Sequence, residues 1–302
     1  MRLRKTFIIP VALTFCAMQA QAQFPGFRFE EKPSDPSAIY TVSVGNVTMT
    51  IDSEKGGKIK SYKFGEKEII SQSRFPNSFG STFWTSPQKE WNWPPVPEHD
   101  SKAYTVEQKD GHIIMTGQVP ERLPLRIIKD FSTDKSDNSI VVSYTLVNES
   151  DTIRSVAPWE ITRVAANGTV FFDSPVEGIW PSDLMNFKAE QGVAWYTIDQ
   201  ADQNRKVNAD GQGWLAFAND SLLMIKKFQN IDPKQPAPEE AEIQVYVNRG
   251  KSYVELESQG AYTTLQPKES FTWTVRWYLV EKNPQATSAE LLDLVKKTAD
   301  IK

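Results

Sequence analysis

From Ile39 to Val280 the chain is a succession of short runs rich in β-branched and aromatic residues, separated by Gly, Asn, Asp and Pro. Ile39-Tyr40-Thr41-Val42-Ser43-Val44, Val47-Thr48-Met49-Thr50-Ile51, Ser139 to Val147 and Phe271 to Val280 are examples. Alternation over a few residues, bounded by turn formers, is the signature of half-buried strands. Roughly fifteen such runs are too many for one flat sheet, so they must stack as two. The expected class is all-β, a two-sheet sandwich. Val44-Gly45-Asn46-Val47 and Lys109-Asp110-Gly111-His112 read as tight hairpins.

The two ends depart from this pattern. Residues 23–38 are rich in proline and charge and lack periodicity, which predicts an extended N-terminal arm. Thr287-Ser288-Ala289-Glu290 is a capping box that opens a helix over 288–298, with Leu291, Leu294 and Val295 at helical spacing and Lys296 and Lys297 in its last turn. The helix is expected to pack on the sandwich without a chemical role. No linker divides residues 39–302, so one domain is expected there.

Ahead of the arm, Met1-Arg2-Leu3-Arg4-Lys5, an apolar stretch from Phe7 to Met18, and Ala20-Gln21-Ala22 form the three parts of a secretory leader cleaved after Ala22. That stretch falls short of the roughly 20 residues that span a bilayer. A periplasmic or secreted protein with no membrane insertion after leader removal is expected. The single cysteine, Cys16, lies inside the leader, so the mature chain has no disulfides, thiolate metal sites or cysteine nucleophile. Losing 22 of 302 residues leaves 280, enough for a large core. Losing Arg2, Arg4 and Lys5 takes the formal charge from −4 to −7, which gives no electrostatic reason to bind nucleic acid or anionic lipid.

Three segments carry residues suited to chemistry. Asn77 to Pro95 holds Trp84, Trp91 and Trp93 among amides, hydroxyls and prolines, and reads as a long ordered loop, where binding residues concentrate. Ring faces beside hydrogen-bonding groups suit sugars; the alternative is a loop that plugs one end of the sandwich. In Ala157 to Val164, alternation puts Trp159 and Arg163 on one strand face and Glu160 and Thr162 on the other. In Tyr253 to Gly260, Glu255 and Glu257 share a face, and like charges that close raise one pKa, as a general acid or base needs. A strand-edge ion pair and surface glutamates are the structural alternatives. His99 and His112 stand alone without metal-ligand spacing, so no metal or cofactor is expected. Nucleophile elbow, phosphate-binding glycine loop and dinucleotide fingerprint are all absent from the sequence.

Gly56-Gly57-Lys58-Ile59-Lys60-Ser61-Tyr62 followed by Gly65 to Ile70 resembles the opening strands of the galactose mutarotase-like superfamily, which includes the aldose 1-epimerases. Asn148-Glu149-Ser150-Asp151 is similar to the asparagine-rich turn before that family's central strand. Tyr253 to Gln259, Leu265 to Ser270 and Thr272 to Trp277 resemble its carboxylate strand and final hairpin. The tryptophan-rich segment is similar to that of an exported bacterial branch whose role is unassigned. The resemblance implies a galactose mutarotase-like β-supersandwich with a short C-terminal helix and a sugar pocket on a concave sheet. It also implies a glutamate base with a histidine acid. Glu255 or Glu257 would be the glutamate, and Leu256-Glu257-Ser258-Gln259 fits slightly better for the latter. The strand that carries the family's histidine reads Pro158-Trp159-Glu160 here, so Glu160 or His99 would have to supply the acid.

The leading expectation is a carbohydrate-binding protein, its ligand a mono- or oligosaccharide. Asn77, Trp84, Trp91, Trp93, His99, Trp159 and Arg163 would contact the sugar, with Glu255, Glu257 and Glu160 as the candidate catalytic acids and bases. The alternatives are a carbohydrate-active enzyme (an epimerase, lyase or hydrolase) and a protein-interaction subunit with an exposed aromatic patch. Oligomeric state is left open.

Overall fold

Alternation becomes strand geometry most plainly at Leu125–Asp134, where Leu125, Ile127, Lys129 and Phe131 are buried and Arg126, Ile128 and Asp130 between them are half-buried. Its partner Ser139–Asn148 runs antiparallel to it, from Leu125 opposite Asn148 to Asp134 opposite Ser139. The structure, a computed structural model, describes residues 35–73, 78–199, 203–250 and 252–301. The expected leader, residues 23–34 of the arm, and Asn77 lie outside the described residues.

Among the described residues the strands assemble into two ten-stranded sheets. The first runs, in spatial order, Ile39–Val44, Val47–Asp52, Lys58–Phe64, Ser81–Ser86, Arg154–Val164, Val254–Gln259, Ile243–Val247 and Arg205–Ala209. Lys67–Glu68 and Thr263–Leu265 pair beside it. The second runs Lys188–Glu190, Val193–Thr197, Thr169–Phe172, Trp214–Ala218, Leu222–Lys227, Ser270–Glu281, Ser139–Asn148, Leu125–Asp134, His112–Thr116 and Thr105–Lys109. Both expected hairpins form. Val44 faces Val47, and Lys109 faces His112 across Asp110 and Gly111 at φ +51° and +81°, the two positive values that a type I′ turn requires.

The inner faces of the sheets share an aromatic core. Phe83 of the first stacks on Tyr144 of the second at 4.1 Å, and Tyr62 meets Trp277 edge-on at 5.3 Å. Burying a ring of this size contributes about 1.5–3 kcal/mol. The C-terminal helix forms over Ser288–Ala299 with both hydrogen bonds of the Thr287–Glu290 capping box. Its Leu291, Leu292, Val295 and Ala299 cover Phe171, Trp195, Trp214 and Tyr278 on the outer face of the second sheet, while Leu294 is only half-buried. The first sheet carries only a short helix, Pro97–Asp100, which bonds Thr82 and Trp84 through Asp100.

The loop expected from Asn77 to Pro95 is in part a strand. Ser81–Ser86 is buried at every position, because one face lies in the sandwich core and the other under the tryptophans that follow. A strand covered on both faces shows no alternation, so its periodicity is hidden. Gly80 starts it at φ +60°, and a Cβ there would stand 2.1 Å from the Ile59 carbonyl oxygen, so only glycine fits. Beyond the strand come a 3-10 turn at Gln88–Glu90 and a short helix at Pro97–Asp100.

That short helix carries His99, which is buried, with its ring Nε2–H donating to the Leu125 carbonyl at 2.8 Å. Burial lowers its pKa from 6.5 to about 4, against the hydrogen bond and Glu98. A histidine held neutral in the folded state and free to protonate when unfolded makes stability fall as pH drops from about 6.5 to about 4. His99→Gln should flatten that part of the profile; chemical denaturation of parent and variant at pH 8 and pH 5 checks it. An unchanged pH dependence would contradict this account.

Candidate functional site

Strand parity decides which groups meet. Glu160 and Thr162 bond to Lys226 of the second sheet, so Trp159, Ile161 and Arg163 point to the outer face of the first. Directly opposite residues of antiparallel strands project to the same side, and the register therefore lays out three rows on that face. Trp84 is opposite Trp159, which is opposite Gln259. Ile161, Glu257, Gln244 and Asn208 form the next row. Arg163, Glu255, Tyr246 and Lys206 form the third.

At the centre, one oxygen of Glu257 takes two charge-assisted bonds: Oε2 accepts from the indole Nε1–H of Trp159 at 2.8 Å and from Lys206 Nζ at 2.9 Å. The lysine ammonium also lies over the Trp159 ring, 4.8 Å from its centroid. Both side-chain hydrogen bonds that Glu257 accepts among the described residues fall on Oε2 and none on Oε1. Burial, with the charge of Glu255 added and that of Lys206 opposing, pushes the Glu257 carboxyl up to about 7. Arg163 pairs with Glu255, Nη2 to Oε1 at 2.8 Å, and its guanidinium packs over the Trp84 and Tyr253 rings at 5.8 and 5.5 Å. Beside them Gln244 Nε2 donates to Asn208 and Glu240 at 2.8 and 2.9 Å, and Gln259 Nε2 donates to Glu240 and Gln244 at 3.1 Å each. Gln259 Oε1 is buried and unpartnered among the described residues.

The tryptophans wall one side of this face. Trp84 meets Trp91, Trp93 and Trp159 edge-on at 5.6, 6.0 and 5.5 Å. Each of the three enclosed indoles spends its N–H internally: Trp84 on Asp100, Trp91 on the Thr85 carbonyl and Trp159 on Glu257, all at 2.8 Å. Asp100 also takes Lys58 Nζ at 3.0 Å and the Thr82 hydroxyl at 3.1 Å. Burial opposes its ionisation, but the Lys58 ammonium, the Trp84 N–H and the Arg163 charge hold its pKa below the usual carboxylate value. Trp93 is 44% exposed, so it alone of the wall offers a free ring face. It also lines a hollow of 720 Å³ between residues 91–98 and 120–122, with Glu98, Glu121 and Arg122 on its rim.

The structure thus brings Trp84, Trp91, Trp93, Trp159, Arg163, Glu255 and Glu257 together from three separate stretches, 84–93, 159–163 and 255–257. Glu160 and His99 are elsewhere. Glu160 points into the sandwich, wholly buried against Lys226 and Tyr144, and His99 is held under Leu125. Neither is placed to meet a ligand on the outer face. Lys206, Asp100, Gln244 and Gln259 belong to the cluster without having been singled out in the sequence. Lys206 and Asn208 alternate with Arg205 and Val207, which marks a strand but not what it will face. Among the described residues no group of three or more His, Cys, Asp or Glu side chains is placed to hold a metal ion.

No family model and no curated protein sequence matches the chain. Solved structures do. A candidate aldose 1-epimerase from Escherichia coli K12 superposes with a TM-score of 0.59 at 12% identity, over 81% of this chain and 99% of that one. The Slr1438 protein from Synechocystis sp. PCC 6803 gives 0.58 at 12%, over 85% and 100%. A galactose mutarotase-like protein from Lactobacillus casei gives 0.58 at 13%, over 80% and 100%. Near-complete coverage of the neighbours, with two stacked antiparallel sheets and one short C-terminal helix, gives the architecture its name: the chain has the galactose mutarotase-like fold of the superfamily that its sequence resembles.

Proposed function

We propose that this chain is an exported carbohydrate-binding protein whose ligand lies on the outer face of the first sheet, around Glu257. The observation that carries the reading is the unused Oε1 of an otherwise buried carboxylate, set between the Trp159 indole and the Lys206 ammonium. Sugar hydroxyls both donate and accept, so one hydroxyl can donate to Glu257 while a neighbour accepts from Lys206. Two of the neighbours bear the names aldose 1-epimerase and galactose mutarotase-like, which supports a sugar ligand. The leader from Met1 to Ala22 supports export. An interaction subunit fits less well, since Trp84, Trp91 and Trp159 are enclosed and form no exposed apolar patch.

Glu257→Gln keeps the shape but removes the charge. Hydrogen bonds to charged groups contribute about 1.5–3 kcal/mol, so affinity for a bound sugar should fall about ten- to a hundredfold by titration calorimetry. Equal affinity of parent and variant for a sugar that the parent binds would refute the site. A second reading, catalysis of aldose 1-epimerisation, is favoured by one observation, a glutamate carboxyl poised at about 7 and 2.9 Å from an ammonium. Polarimetry on a panel of free aldoses separates the two readings. Acceleration lost in Glu257→Gln establishes catalysis, and no acceleration leaves binding.

A further inference from the structure

The outer face is longer than the Glu257 centre, and an exposed indole stands on either side of that centre. Trp180 and Asn208 form an antiparallel bridge, exchanging backbone bonds of 3.0 and 2.8 Å. Directly opposite residues in such a bridge point the same way, and Asn208 points to the outer face, where it bonds Gln244. Trp180 therefore extends the row Asn208, Gln244, Glu257, Ile161 past the edge strand, and it is 45% exposed. On the other side Trp93, in contact with Trp84, opens onto the hollow between residues 91–98 and 120–122. Of the three exposed large hydrophobic residues in the described chain, two thus flank the Glu257 centre, Trp93 beside Trp84 and Trp180 beside Asn208.

From Ser81–Ser86, whose Trp84 touches Trp93, to Arg205–Ala209, whose Asn208 pairs with Trp180, there are four strand-to-strand steps, roughly 19 Å at about 4.8 Å each. No single sugar ring touches both. Charge narrows the class further. Arg163 is paired with Glu255 and Lys206 with Glu257, while Glu240 adds a carboxylate bonded only to amides. Among the described residues both cations at the centre of this face are thus neutralised by carboxylates, and Arg122 at the Trp93 hollow donates to the Trp91 carbonyl.

Building on the carbohydrate reading above, we propose that the ligand is a neutral oligosaccharide laid across the strands, one end stacked on Trp93 beside its hollow and the other on Trp180, with Glu257 and Lys206 reading the middle. The rings supply affinity that is tolerant of sequence, and the polar row supplies the hydroxyl contacts.

Calorimetric titration of the whole mature protein with malto- and cello-oligosaccharides, from monosaccharide to hexasaccharide, tests this. Affinity in one series should rise with length. Trp93→Ala and Trp180→Ala should each weaken the longest ligand about tenfold, and Trp180→Ala should leave the monosaccharide unchanged. Trp93→Phe should recover part of the loss, and thermal melts of all variants show whether folding is intact. Equal affinity for monosaccharide and hexasaccharide overturns the inference, as do folded tryptophan variants without effect. If Glu257→Gln still weakens binding in that case, the site stands and only the bridging fails. Tighter binding of an oligogalacturonate overturns the neutral class. Failure of the parent to bind any member of either neutral series overturns both the inference and the carbohydrate reading beneath it.

Discussion

Glu160→Ala should destabilise the fold by about 3–5 kcal/mol, the range for stripping one partner from a buried ion pair. Glu160 and Lys226 are both fully buried, 2.6 Å apart, and come from different sheets. Tyr144 donates to Glu160 Oε1 at 2.6 Å, Lys226 donates to Thr162 at 3.1 Å, and the ammonium lies 5.1 Å over the Trp277 ring. Burial already lowers the Lys226 pKa, and Glu160 is the main group opposing that. Without the carboxylate the ammonium is left uncompensated in the core or gives up its proton. The double replacement Glu160→Met with Lys226→Met removes both charges and should recover most of the loss. Denaturant midpoints of parent, single and double variants measure this; a Glu160→Ala loss under about 1 kcal/mol would contradict the pairing.

The second large effect is expected at Asn148, the first residue of the asparagine-rich turn. Its side chain is fully buried. Nδ2 donates to the carbonyls of Thr152, Leu265 and Gln266 at 2.8, 3.0 and 3.2 Å, and Oδ1 accepts from the Ser150 backbone N–H and hydroxyl at 3.1 and 2.7 Å. One amide thus closes its own turn and clamps the entry to the last hairpin, 117 residues away. Asn148→Ala leaves several of these groups unsatisfied and should reduce stability by about 3 kcal/mol. Asn148→Asp should be no better, since it sets a carboxylate against three carbonyl oxygens. Amide exchange over residues 263–270 should rise in both; variants within about 0.5 kcal/mol of the parent would show that the clamp is not needed.

What could be read from the chain followed from how local each signal is. Hairpins at Gly45 and Gly111, the capping box at Thr287 and the alternation of Ser139 to Val147 are each complete within a dozen residues, and all appear in the fold. The Trp84 strand escaped notice because being covered on both sides removes the period that marks a strand. Parity of Trp159 and Glu160 on opposite faces was legible, but which face would meet the other sheet was not; that is set by Lys226 and Tyr144, contributed from elsewhere. Arg163 meets Glu255 only because Val254–Gln259 inserts between Arg154–Val164 and Ile243–Val247. Lys206 and Trp180 reach the same face through one further strand, with nothing in their neighbouring residues to announce it.

The helix at Ser288–Ala299 gives the molecule a front and a back. It is bound to the second sheet through Leu291, Leu292 and Val295, and Lys227 holds its end by the carbonyls of Ala299 and Asp300 at 2.7 and 3.0 Å. A tether fixed just past that end would grip the rear of the sandwich. Immobilised in this way on a sensor or a bead, the protein would keep the Glu257 side turned to the solution.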